Sequence, residues 1–319
     1  MMWKFMILIL AFTATAPAIL AASPFGDGFA TGKLEDYLEK PDPKQTKIVL
    51  NKIEGMKGKS ALSITDNTNV SFKPVEFSPN TKYTLSFRGC FTGGESIEEN
   101  PRLDIAVMPR SRLAFLACHE IEFLDAEKKK IQQPVIAFNL PFRNWHDYVS
   151  IFYSPANAAF IRLTVRSAPG ITFSMDCLKL EKTPDEGSIN VNPDFKCGLY
   201  NYSGWSGLAA GAKMILTKEG KPAFDTKYGS TSTGFPVTEP GTYKTSAKFT
   251  GNGYNANIAV RFFDKDGKMT GSFGVRVENY FILPAGTVYG HFLAYSGVIE
   301  ELRLIRIGDE KKIEELRKK

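Results

Sequence analysis

Histidine is scarce in this chain, and the arrangements that usually mark catalysis are missing. The three histidines, His119, His146 and His291, stand far apart. None has the His-Glu-x-x-His spacing that sets two imidazoles on one helix face around zinc. His119-Glu120 is the nearest fragment, and it lies in a strand-like run. No Gly-x-Ser-x-Gly elbow and no phosphate loop occurs, so neither a hydrolase nucleophile nor a nucleotide cradle is signalled. The four cysteines, Cys90, Cys118, Cys177 and Cys197, match no zinc spacing. Three disulfide pairings are open to them, as is the alternative of four buried thiols. A Cys177–Cys197 bridge would pin the two halves of the chain together. Charge of one sign is also in short supply. The net charge is +6 over 319 residues, and basic residues are interleaved with acidic ones, so no surface for nucleic acid is expected.

What is abundant is the aromatic and alternating content of β-proteins: 24 Phe and 12 Tyr, residue types that suit pleated, half-buried surfaces. Hydrophobic content of 43% and charged content of 23% fit a soluble globular chain. The length suits two domains. Met1 to Ala22 reads as a secretory leader: Lys4 supplies the positive start, Phe5 to Phe12 the apolar run, and small residues lead to a cut near Ala21 or Ala22. Pro17 interrupts the run and no second apolar span follows, so no membrane insertion is expected after cleavage. The mature chain is expected to be secreted, periplasmic or displayed at the cell surface.

Residues 23–182 read as a first β-sandwich. Lys33 to Glu39 predicts two helical turns, with Leu34 and Leu38 on one face, before Pro41. Short strands are predicted at Ile48 to Ile53, Ala61 to Thr65 and Val70 to Phe72. Ser78-Pro79-Asn80-Thr81 is turn chemistry, and Tyr83, Leu85 and Phe87 then alternate with polar neighbours. Further strands are predicted at Leu103 to Met108, Leu113 to Phe123, up to Tyr153, Phe160 to Val165 and Ile171 to Leu180. A polar linker at 183–188 follows.

Residues 189–309 repeat the plan. Ala212, Met214 and Leu216 alternate with polar neighbours. Thr238-Glu-Pro-Gly-Thr introduces the alternation Tyr243 to Phe249, as Ser78 to Thr81 introduces Tyr83 to Phe87. Asp264-Lys-Asp-Gly267 after a strand parallels Asp125-Ala-Glu-Lys, and Pro284 parallels Pro155. Asp-Gly between apolar runs reads as a hairpin turn. Tyr289 to Tyr295 and Leu302 to Ile307 are read as the closing strands, and 310–319 as a charged tail. The landmarks keep their order while their offset shortens, as in duplicated domains with unequal loops. The fold class is therefore all-β: two tandem antiparallel β-sandwich (jelly-roll) domains.

Asn192-Pro-Asp-Phe195, Gly204-Trp205, Pro240-Gly-Thr-Tyr243 and Phe262-Phe-Asp264-Lys-Asp-Gly267 together resemble carbohydrate-binding modules of the family 4/9 type, which are galactose-binding-domain-like jelly rolls. In the first unit Trp145-His-Asp-Tyr148 and Ile171-Thr-Phe-Ser-Met-Asp-Cys-Leu-Lys-Leu180 are similar to the closing half of that pattern, while Pro24 to Phe29 only partly matches its opening. The resemblance implies a sheet face or loop rim that holds sugar, aromatic rings stacking on C–H faces and planar polar side chains meeting hydroxyls. The candidate binding residues are Tyr200, Tyr202, Trp205, Tyr254 with Asn255, and Arg276 with Tyr280. Tyr202 and Tyr254, set among Gly, Asn and Ser, are expected in exposed loops. Trp205 and Trp145 also have a reading as core residues. No cofactor is expected. The resemblance allows a structural calcium ion, to which Asp194 would contribute.

The sequence thus predicts an exported, non-catalytic, monomeric carbohydrate-binding protein, its second unit the binder. The alternatives are a surface structural or protein-interaction protein using the sandwiches as spacers, and a jelly-roll glycoside hydrolase or lyase, which would need two carboxylates facing one groove.

Overall fold

The computed structural model describes residues 28–49, 55–100, 118–131, 136–139, 142–184, 187–250, 257–310 and 312–317. The leader, the predicted strand at Leu103 to Met108, and Tyr254 with Asn255 lie outside them.

The first unit opens with a helical turn α1 (Leu34–Tyr37) and continues with β1 (Thr46–Val49), β2 (Ala61–Thr65), β3 (Asn69–Ser71), β4 (Val75–Glu76) and β5 (Lys82–Thr92). It closes with β6 (Cys118–Leu124), β7 (Ile136–Asn139), β8 (His146–Tyr153), β9 (Phe160–Arg166) and β10 (Thr172–Lys182). The strands form two antiparallel layers. One has the order β1-β2-β10-β5-β8, the other β3-β9-β6-β7 with β4 also beside β9. Period-two patterning decides which way each strand faces. On β5, Tyr83, Leu85 and Phe87 are buried while Lys82, Thr84, Ser86 and Arg88 point away. Phe87 meets Phe173 of β10 and the imidazole of His119 on β6 across the sandwich. The predicted two-turn helix is shorter, a single turn whose Tyr37 is buried.

The second unit comprises β11 (Trp205–Gly207), β12 (Lys213–Leu216), β13 (Pro222–Thr226), β14 (Ser230–Ser232), β15 (Phe235–Pro236), β16 (Gly241–Phe249), β17 (Asn257–Asp264), β18 (Met269–Val275), β19 (Glu278–Leu283) and β20 (Thr287–Gly308). Its strand order repeats the first. β12-β13-β20-β16-β19 corresponds to β1-β2-β10-β5-β8, and β14-β20-β17-β18 with β15 beside β20 corresponds to β3-β9-β6-β7 with β4. β11 is an addition beside β14. Each unit has its own hydrophobic cluster.

One long strand serves both layers of the second unit. Up to Ser296, β20 pairs with β14, β15 and β17; from Gly297 on it pairs with β13 and β16. The two closing strands read from Tyr289 to Tyr295 and Leu302 to Ile307 are thus one. The pivot is Gly297, whose φ of 117° is open to glycine and strained for other residues. In the first unit the same crossing is made by a loop between β9 and β10. Leu216 also departs from expectation. It ends β12 at 53% exposure, because the turn at Thr217 to Lys221 carries it off the core face.

The matched turns show the duplication most directly. Asp125 Oδ1 accepts the N–H groups of Glu127 and Lys129 at 3.0 and 2.8 Å. Asp264 Oδ1 accepts those of Asp266 and Lys268 at 3.0 and 2.9 Å. Both are Asx turns, in which a carboxylate closes the hairpin.

Cys90 and Cys177 carry free thiols, so no Cys177–Cys197 bridge forms. Hydrogen bonds tie the units instead. β8 is an edge strand, and its outward backbone is capped by the segment opening the second unit. Asn201 Nδ2 and Ser203 Oγ donate to the Val149 carbonyl at 2.6 and 3.2 Å, and Ile151 N–H donates to Ser203 Oγ at 3.2 Å. Tyr153 Oη donates to the Ile189 carbonyl at 2.7 Å. Capping an edge in this way removes a template for stray strand pairing. The tail ends in α2 (Lys312–Arg317), anchored by buried Ile313.

Candidate functional site: an aromatic sheet face

Two sandwiches present four outward sheet faces, and their chemistry differs. On the layer β1-β2-β10-β5-β8 part of the outward face is covered. Asp176 is fully buried, and its Oδ2 accepts the N–H groups of Lys57 and Gly58 at 2.9 and 2.8 Å. Arg88 is held by Asp147 at 2.8 Å and by the Gly55 carbonyl at 2.7 Å, beneath the Trp145 ring. On β3-β9-β6-β7 the face is ion-paired. Arg162 meets Glu122 at 2.7 Å and Glu39 at 3.4 Å, Lys130 meets Glu122 at 2.6 Å, and Arg166 meets Glu120 at 3.7 Å. These bonds to Arg162 and Lys130 hold the Glu122 carboxyl below its ordinary range against the opposing effect of burial. On β12-β13-β20-β16-β19 the charges are also matched, Lys244 with Glu278, Lys248 with Glu300, and Arg303 with Glu301.

The fourth face, β14-β20-β17-β18, is different. Alternation sends Ile258, Val260 and Phe262 of β17 into the core and leaves Ala259, Arg261 and Phe263 outside. On β20 it buries Phe292 and Ala294 and leaves Tyr289, His291, Leu293 and Tyr295 outside. Register places Phe263 opposite Tyr289 and Arg261 opposite His291. The Phe263 ring stacks on Tyr289 at 5.0 Å and on His291 at 5.2 Å. Arg261 Nη2 donates to Tyr295 Oη at 3.1 Å, and Tyr295 contacts Tyr228 at 5.3 Å. Tyr228 itself is 78% exposed. From Tyr289 to Tyr295 the strand runs about 20 Å at ~3.3 Å per residue, a platform suited to a chain ligand more than to a single ring. His291 is held below its ordinary value first by burial and then by Arg261. It is therefore neutral near pH 7, able to donate from one ring nitrogen and accept at the other. Rings edged by an imidazole and a guanidinium can stack on sugar C–H faces and hydrogen-bond hydroxyls.

Two hollows are small: one, lined by Asn192, Phe195, Trp205 and Phe292, is about 10 Å³, and one lined by His146, Tyr148, Leu199 and Tyr200 is about 20 Å³. Each is room for one water molecule and not for a sugar.

The residues singled out from sequence are scattered. Tyr202 is 1% exposed and Trp205 7%; both are core, which corrects the expectation of a loop site at Tyr202 and the candidacy of Trp205. Their rings gather round Phe224, Trp205 at 4.6 Å and Tyr202 at 6.3 Å. Gly204 explains the Gly-Trp pair: it has φ 94°, and a Cβ there would lie 2.8 Å from the Val191 carbonyl oxygen. Tyr200 is 40% exposed, edge-on to Phe142 at the junction of the units. Arg276 is exposed between β18 and β19, and Tyr280 lies on the ion-paired face with Lys244 over its ring. Neither joins Tyr200. The platform residues were within reach of the sequence, because they occupy the outward parity of strands that it does predict.

Asp194, suggested as a calcium ligand, has a buried Oδ1 without a hydrogen-bond donor, as does the amide oxygen of nearby Asn192. Calcium takes 6–8 oxygens, from carboxylates and from backbone and amide carbonyls, and Asp194 with Asn192 would supply two of that kind.

No protein-family model matches the chain, and no curated protein does. Solved structures do. A tandem pair of family 22 carbohydrate-binding modules from Paenibacillus barcinonensis aligns at 12% identity over 88% of this chain and 95% of that one, with a TM-score of 0.34. The chain is similar to carbohydrate-binding modules. A family 16 carbohydrate-binding module aligns at 15% identity over 49% of this chain and 96% of its own, TM-score 0.34. The enzymatically active domain of a tailspike protein from bacteriophage CBA120 aligns at 11% identity over 43% of this chain and 18% of that one, TM-score 0.32. The strand order of the chain itself defines its fold.

Proposed function

We propose that this is an exported, monomeric, non-catalytic carbohydrate-binding protein whose second unit holds a poly- or oligosaccharide on the face formed by β14, β20, β17 and β18. The observation that carries this reading is the contrast between equivalent faces of the two units. The Asx turns align Leu124 with Phe263 and Glu122 with Arg261, and the strand registers align Phe160 with Tyr289 and Arg162 with His291. In the first unit Glu122 and Arg162 form an ion pair; in the second the same places hold Arg261 and His291, with the rings of Phe263, Tyr289 and Tyr295 around them. Export is supported by the leader-like stretch Met1 to Ala22. Binding without hydrolysis is supported by the platform's outward residues on β17 and β20, which include no Asp or Glu between Asn257 and Phe263 or between Tyr289 and Tyr295, whereas glycoside hydrolysis needs a carboxyl pair.

The test is retention of the purified chain in gels carrying xylan, galactan, glucomannan or an acidic polysaccharide. Tyr228→Ala is expected to weaken retention about tenfold, ~1.4 kcal/mol, in line with the ~0.5–1.5 kcal/mol of a ring contact. Tyr295→Ala should weaken it similarly. Because Tyr228 is so exposed, its removal should leave unfolding within ~0.5 kcal/mol of wild type. Unchanged retention in both variants would remove the platform as the site.

A further inference from the structure

We infer that the saccharide held on this face is anionic, a polymer bearing carboxylate or sulfate groups, with Arg261 as its charge contact. The inference rests on the sugar-binding reading above and narrows it.

Among the described residues Arg261 lies on the aromatic face with no carboxylate bonded to it. Arg88, Arg162, Arg166, Arg303 and Arg306 each meet a carboxylate. Among the described residues Arg261 meets none. Its one hydrogen bond goes to the neutral Tyr295 hydroxyl, and its Nε is buried with no acceptor. A guanidinium offers a planar fork of donors that matches a carboxylate or sulfate, and most of this fork is unspent.

The strand opposite sharpens the point. At the equivalent place in the first unit, Glu122 faces Arg162 and neutralises it. In the second unit Arg261 faces His291, an imidazole that does not neutralise it, and among the described residues no acid on β14, β17, β18 or β20 is bonded to either. An anion lying between them would satisfy both, while Tyr228 and the Tyr289–Phe263 stack take the sugar rings on either side. A neutral glycan would leave the guanidinium desolvated and unneutralised, which is costly.

The experiment uses the full chain on gels of four polymers of stated charge: polygalacturonate, a sulfated galactan, neutral galactan and neutral xylan. Double-stranded DNA serves as a polyanion control. The expected result is retention at least tenfold stronger on one or both acidic polymers than on the neutral ones, falling as salt is raised. Arg261→Gln should abolish that preference while Tyr228→Ala lowers retention on all sugars. Arg261→Lys, which keeps the charge and loses the fork, should recover only part of it. The uronate and sulfate arms tell which acid group is recognised. Equal retention on neutral polymers, or an acidic preference that survives Arg261→Gln, overturns the inference and leaves the sugar-binding reading standing. Retention on DNA equal to that on the acidic polymers overturns it as well. Retention on no polysaccharide overturns the sugar-binding reading itself. Matching thermal unfolding of Arg261→Gln and wild type confirms that the fold is not what changed.

Discussion

Trp205→Ala should unfold the second unit well before it says anything about binding. The indole lies 7% exposed against Phe224 at 4.6 Å, and Phe195 and Tyr202 reach the same ring at 6.0 and 6.3 Å. The cluster closes the end of the sandwich where the chain enters. Deleting a buried indole costs about 3–5 kcal/mol, transfer and cavity together. Small domains have about 5–15 kcal/mol in total, so about a fifth or more of the unit's stability is at stake. Tyr202→Ala should behave alike, since its ring is 1% exposed and its hydroxyl accepts the Met214 N–H at 3.4 Å. Urea unfolding followed by tryptophan or tyrosine signals would show the midpoint drop. Any loss of sugar retention in these variants would track the unfolded fraction and vanish in cold, stabilising buffer. Tyr228→Ala should show the reverse pattern, lost retention with an unmoved midpoint. A Trp205→Ala protein of wild-type stability that no longer bound sugar would contradict the burial described here.

The architecture was legible because a half-buried strand states its own orientation. Tyr83-Leu85-Phe87 and Ile258-Val260-Phe262 alternate cleanly, and the Asp125 and Asp264 turns lie where hairpin turns are predicted. β13, β14 and β15 were not legible. β13 begins with Pro222, β14 is Ser-Thr-Ser and β15 is only Phe235–Pro236; each pairs with β20. The burial of Tyr202 and Trp205 was not legible for a related reason. Aromatics among Gly, Asn and Ser suggest exposed loops, but Tyr202 and Trp205 sit where the chain folds back under its own sandwich, and Gly204 permits that tight approach. Tyr289, His291 and Tyr295 lie in a strand, where aromatic content is ordinarily core, and Tyr228 lies in the turn before β14. Counting which parity each strand ring occupies separates outward from core: the inward parity of β20 already has Phe292 and Ala294.

Acid should melt the first unit ahead of the second, and His119 is the reason. The imidazole is wholly buried between Phe87 and Ser150, its Nε2 within 3.0 Å of Ser150 Oγ. Burial drives its pKa from 6.5 down to about 3. In the unfolded chain the same group takes a proton near pH 6.5. Between those values the unfolded state binds a proton that the folded state refuses, so stability falls as pH falls. The contribution is complete above pH 6.5, has lost about 2.7 kcal/mol by pH 4.5 at ~1.36 kcal/mol per unit, and levels off near pH 3. His146 and His291 are also held low by burial and act in the same direction, but each is only partly buried and its effect is smaller. The position equivalent to His119 in the second unit is Ile258, which cannot titrate. Unfolding at pH 7 and pH 4.5 should therefore show the first unit's transition moving much further than the second's. His119→Gln, which can keep the bond to Ser150, should remove most of that difference while costing some stability at pH 7. If the variant kept the full acid sensitivity, the carboxylates paired on the face of β6 and β9, Glu122 foremost, would be its source instead.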